Sequence, residues 1–120
     1  LGLPGVGFRA CSFTPMFWRY SGECCGGVQV HVTDRDSFRP VETGLHLLRT
    51  LMDLQPDVFA FNEPTYEERR HFDLLAGTDR LRRSLTEGAT VDDIVASWAP
   101  GITRFRDDCD SILLYREATA

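Results

Sequence analysis

The chain has 120 residues, 42% hydrophobic and 26% charged, with 13 basic against 18 acidic side chains and a net charge of −5. That length makes one domain able to bury a core without staples, and the acidic balance argues against general nucleic-acid binding. No apolar run nears the roughly 18 residues that a membrane span needs.

The chain opens with LGLPGVGF, which has neither a charged n-region nor an initiator Met. It is expected to be a piece of a longer polypeptide. GVGFRACSFTP predicts a first strand ended by Pro15, with Phe8, Ala10 and Ser12 on one face and Arg9, Cys11 and Phe13 on the other. MFWRYSGECCGG then connects to a second strand. Loops are usually polar, so Phe17, Trp18 and Tyr20 need a reason. Either the loop folds back over the core or it presents an aromatic wall to a ligand.

GGVQVHVTDRD predicts the second strand. Val28, Val30 and Val32 alternate with Gln29, His31 and Thr33, so the valines are assigned to the core and the polar trio to the opposite face. TDRDSFRP is a charged turn leading into a helix with Pro40 in its first turn. Leu45, Leu48 and Met52, with Leu51 beside them, form its apolar stripe. Glu42, His46, Arg49 and Asp53 form its opposite face, which makes His46 an exposed helix histidine. Gly44 in this helix points to a close packing contact.

After VFAF and the polar loop NEPTYEERR, the stretch HFDLLAGTDRLRRSLTEG predicts two short helices broken at Gly77, with Thr78 as a cap and Gly88 as a terminator. TVDDIVASW predicts a helix capped by Thr90. Pro100 is read as opening a last helix and SILLY as a closing strand. The expected fold is α+β: a small, mostly antiparallel sheet of two N-terminal strands and one C-terminal strand, with four or more helices packed on it.

Local constellations give little chemistry. Arg69, Arg70, Arg80, Arg82 and Arg83 cluster, but Glu67, Glu68, Asp73, Asp79 and Glu87 dilute them into a mixed-charge surface. Cys11, Cys24, Cys25 and Cys109 fit no zinc spacing, leaving buried thiols or one disulfide as readings. Asp34 and Asp36 could be an acid–base pair, but a carboxylate-capped turn is favoured. Ser12, Ser21 and Ser37 lack a nucleophile-elbow context.

Four strings carry a resemblance that covers nearly the whole chain. They are FTPMFWRYSGECCGGVQVHVTDRDSFRPVETGLHLL (Phe13 to Leu48), FDLLAGTDRLR (Phe72 to Arg82), IVASW (Ile94 to Trp98) and ILLY (Ile112 to Tyr115). Together they resemble the C-terminal domain of the bacterial exo-β-N-acetylmuramidases, formerly a domain of unknown function. The resemblance implies that residues 1–120 are one domain of a two-domain cell-wall glycosidase whose Rossmann-like N-terminal domain, absent here, carries the catalytic glutamate. Such enzymes release N-acetylmuramic acid from the non-reducing end of peptidoglycan fragments, without metal or organic cofactor. They are extracytoplasmic: periplasmic, secreted or anchored as lipoproteins. This chain departs from the family's usual TPTFSKY at Met16 and Trp18, reading TPMFWRY.

The resemblance carries no catalytic role onto any residue here, and the chain alone is expected to be inactive. The candidate substrate-binding residues are Thr14, Phe17, Tyr20, Gln29, His31 and Thr33. Amide, imidazole and hydroxyl groups suit sugar hydroxyls, acetamido groups and a lactyl carboxylate. The expected partners are the N-terminal domain of the same protein and a muropeptide or glycan, with a homodimer through the exposed docking surface as a further expectation. Two other readings stand beside this one: a non-catalytic glycan- or protein-binding module, and a structural lid.

Overall fold

A computed structural model describes residues 1–64 and 69–115. Glu67 and Glu68, expected to dilute the arginine cluster, lie outside the described residues. The chain divides into two compact units, Leu1–Leu47 and Leu48–Ala120.

The first unit is built on an antiparallel ribbon of β1 (Val6–Phe13) and β2 (Cys25–Val32), with register running from Val6↔Val32 to Phe13↔Cys25. Directly opposed residues share a face of the ribbon. Val6, Phe8 and Ala10 therefore stand with Val32, Val30 and Val28, while Gly7, Arg9 and Cys11 stand with His31, Gln29 and Gly27. The sidedness is the one the alternation predicts, but the burial is not. Val28, Val30 and Val32 are 41% to 52% exposed, so the valine face is not core. A period of two fixes which face is apolar; it carries no information about what covers that face.

One end of the ribbon is locked at Gly5. Its φ is +68°, and a Cβ there would collide with the Asp34 carbonyl oxygen and sit 2.7 Å from both Phe38 N and Ser37 Oγ. The backbone N–H groups of Thr33 and Asp34 donate to Gly5 O at 2.9 and 3.3 Å. The Asp34 carboxylate accepts from Asp36 N at 3.0 Å and from Ser37 Oγ at 2.7 Å. This is the carboxylate-capped turn, and it accounts for Asp34 without acid–base chemistry. The Ser37 hydroxyl and the Asp36 N–H favour the charged form and hold the Asp34 pKa below its ordinary value.

The turn feeds α1 (Pro40–Leu54). Leu45 is buried, as its stripe position requires, and Thr43 is buried beside it in sequence. His46 is half-buried, not exposed. Gly44 meets no described atom within 4 Å of a built Cβ, so no packing contact explains it.

The second unit contains the three remaining helices: α2 (His71–Ala76), α3 (Arg80–Thr86) and α4 (Val91–Asp110). Gly77 ends α2 with φ 72°, the left-handed C-cap that glycine supplies without a Cβ penalty. Leu85, Val91 and Ile94 are buried, Leu85 completely. Asp73 on α2 and Arg82 on α3 form a two-pronged pair, Nε to Oδ1 and Nη2 to Oδ2, both at 2.8 Å. The Arg82 hydrogen bonds are the main reason that the Asp73 pKa is lowered. Phe59 meets Phe61 edge-on at 5.3 Å, and Phe61 meets Phe72 at 4.9 Å.

Thr90 caps α4, its hydroxyl accepting from Asp93 N at 3.1 Å and donating to Asp93 Oδ2 at 2.7 Å. Two expectations fail at this end of the chain. The helix runs through Pro100 and does not restart there. Proline's fixed φ is compatible with a helix; the cost is a lost hydrogen bond and a steric clash, about 3 kcal/mol. Ser111–Tyr115 is not a strand: the N–H groups of Ile112 and Leu113 donate to Cys109 O at 2.8 and 3.0 Å. Groups used to finish a helix are not available to a ladder. The fold is thus α+β, with a two-stranded antiparallel sheet and four helices among the described residues.

Candidate functional site

All six sequence-predicted residues fall in the first unit, and all are exposed. Gln29 and His31 stand on the polar face of β2, with Thr33 following the strand. Gln29 Oε1 accepts from Arg9 Nη2 on the opposing strand at 2.8 Å, which fixes the amide in place. His31 is opposed by Gly7, which has no side chain to cover the imidazole. A Cβ built on Gly7 would lie 3.9 Å from the Thr33 methyl, so Thr33 comes near the same position with its apolar end.

Thr14, Phe17 and Tyr20 belong to the loop at the far end of the ribbon. This loop has internal order. Gly22 N donates to Pro15 O at 2.9 Å, Glu23 N to Tyr20 O at 3.0 Å, and Ser21 Oγ to Met16 O at 3.0 Å. Its aromatic rings do not fold back over a core: Met16, Phe17, Trp18 and Tyr20 are all exposed. At roughly 3.3 Å per residue, His31 lies roughly 20 Å along β2 from Cys25, where the loop ends. The six residues therefore do not converge on one pocket. They make an aromatic end and a polar face.

The second unit holds a cleft of about 480 Å³ whose lining includes Met52, Phe59, Phe61, Arg49, Arg70 and Arg82. The sequence reading missed it, because VFAF reads only as a short apolar run. Its guanidinium groups are engaged. Arg49 pairs with Asp53 and donates to Leu85 O at 3.0 Å, Arg70 pairs with Glu63 at 3.4 Å, and Arg82 is held by Asp73. Arg83, of the same arginine cluster, in turn pairs with Asp79 at 3.5 Å. The four cysteines are free; Cys24 is exposed and the others half-buried, so neither buried thiols nor a disulfide describes them. No helix of the described residues is long and apolar enough to cross a membrane.

Comparison with known proteins gives this geometry its context. The chain is 41% identical over 115 residues to the peptidoglycan β-N-acetylmuramidase NamZ of Bacillus subtilis (strain 168), covering 96% of this chain and 27% of that protein. It is also similar to the crystal structure of a DUF1343 family protein from Bacteroides fragilis NCTC 9343. There the TM-score is 0.79 at 27% identity, over 95% of this chain and 30% of that one. The chain thus spans less than a third of either relative. Residues 1–115 match the model for the C-terminal part of exo-β-N-acetylmuramidase NamZ, and the chain belongs to that family of C-terminal domains.

Proposed function

We propose that this chain is the C-terminal domain of a cell-wall glycosidase that releases N-acetylmuramic acid from the non-reducing end of peptidoglycan fragments. Its role there is to shape the substrate cleft. The observation that carries the reading is the 41% identity over nearly the whole chain to a protein of that activity. Gln29, His31 and Thr33 form the cleft-facing surface, supported by their exposure and by the bare Gly7 opposite His31. The amide and imidazole are held on a regular strand, with the Thr33 hydroxyl just past its end, and a rigid donor orients a sugar substituent better than a mobile one.

The half-exposed valine face meets the N-terminal domain of the same polypeptide. Interfaces cut by isolating a domain leave apolar patches of this kind. An extracytoplasmic location belongs to the same proposal, because the substrate lies in the cell wall. The reaction itself belongs to the remainder of the parent protein.

In the full-length parent, His31→Ala is expected to cut kcat/KM on a chromogenic N-acetylmuramide roughly ten- to a hundredfold, about 1.4–2.7 kcal/mol for one or two lost polar contacts. Wild-type kinetics in that variant would show that the polar face does not touch substrate. The 120-residue chain alone is expected to show no turnover above blank.

A further inference from the structure

We propose that Trp18 is a stacking platform for a pyranose ring of the glycan, a different sugar from the one at the polar face. This rests on the reading that the parent protein acts on peptidoglycan.

Two observations converge on the loop. Trp18 has φ 74° and Tyr20 has φ 60°, the only non-glycine residues with positive φ among those described. Bulky side chains rarely occupy that region. Trp18 is also 93% exposed. The ring–ring contacts among the described residues involve Phe59, Phe61 and Phe72, so the indole gains no such contact in return. Strain at an exposed aromatic adds nothing to folding. The loop's own hydrogen bonds close the segment on either side of Trp18, and the indole stands in solvent.

The surroundings favour sugar over an aliphatic protein surface. Thr14, Arg19, Ser21 and Glu23 are exposed on the same loop. A pyranose offers an apolar C–H face to an aromatic ring and hydroxyls at its rim, and this loop matches that mixture. The aliphatic valine face lacks these polar groups. The roughly 20 Å along β2 between the loop and His31 then separates the two contacts onto different sugars of one chain.

The test compares substrates of different length on the full-length parent. Trp18→Gly removes the ring and relieves the backbone, so misfolding does not confound it. The expected result is a roughly tenfold loss of kcat/KM on a muramic-acid-terminated tetrasaccharide, with turnover of a chromogenic N-acetylmuramide unchanged. Trp18→Phe should retain most of the tetrasaccharide activity. Equal losses on both substrates, or no loss on either, overturn the platform. A wild type inactive on the monosaccharide overturns the functional reading instead. In that event calorimetric binding of the tetrasaccharide still decides the platform: a roughly tenfold weaker Trp18→Gly supports it, and equal or undetectable binding overturns it.

Discussion

The two units spend their residues differently. In Leu48–Ala120, Leu85 is fully buried with Val91 and Ile94 also inside, the arginines of the cleft are paired with carboxylates, and short helices end on Gly77 and Gly88, while Leu75, Phe105 and Ile112 to Tyr115 stay exposed. In Leu1–Leu47 the ribbon exposes both of its faces, and its loop exposes four large apolar side chains. A two-stranded ribbon is marginal by itself in water. The ribbon, which has no fully buried side chain, is the part that carries the candidate ligand contacts. The lesson is one of anchoring: the helical unit is centred on a side chain with no solvent access, and the ribbon has none.

Substitutions can break or sharpen that contrast. The largest expected effect is Leu85→Ala, about 3 kcal/mol lost through a cavity at a site with no solvent access. Its denaturation midpoint should fall, and faster amide exchange should be confined to α3 and α4. Equal acceleration in β1 and β2 would mean that the units unfold as one, and the contrast would lose its energetic content.

Gly5→Ala should follow, at about 2–3 kcal/mol, because its Cβ meets backbone atoms that cannot move aside. Here the exchange signature should be the reverse, with β1, β2 and the turn at Asp34 affected and α3 spared. Gly44→Ala runs in the opposite direction. With open space at the Cβ, helix propensity should raise stability by about 1 kcal/mol, read as a higher urea midpoint.

The smallest effect is in acid. Asp34 in the first unit and Asp73 in the second both have depressed folded-state pKa values. A depressed carboxylate contributes stability that is complete above its unfolded pKa and is lost as pH falls through its folded value. Both units should therefore weaken below about pH 4. Ser37→Ala removes the principal cause at Asp34, so it should shrink the acid loss of the ribbon's turn and leave that of the Asp73–Arg82 pair unchanged. An identical acid profile for both units in that variant would count against the assignment.

The elements legible in the sequence were those whose signals are local. The stripe through Leu45 and Met52 gave α1, Gly77 divided α2 from α3, and Thr90 marked the start of α4. The failures were those whose outcome is decided elsewhere in the chain. SILLY has a strand's composition, but the N–H groups of Ile112 and Leu113 are drawn back to Cys109. Pro100 carries a breaker's chemistry inside a helix that continues on both sides of it. At the candidate site, the polar face was legible as a period of two, and the exposure of the aromatic loop was one of two readings. The positive φ of Trp18 and Tyr20 was not legible, because no glycine or asparagine marks those positions.

The ribbon has one further property that bears on handling the protein. Among the described residues, β1 pairs only with β2 and β2 only with β1, so each strand has an outer edge without a ladder neighbour. Such edges accept a strand from another molecule, and here the surface beside them is valine. Concentrated preparations of the separate domain should therefore self-associate by edge-to-edge strand pairing. A lysine at Val30, which faces outward on the apolar side, is the economical way to keep it in solution.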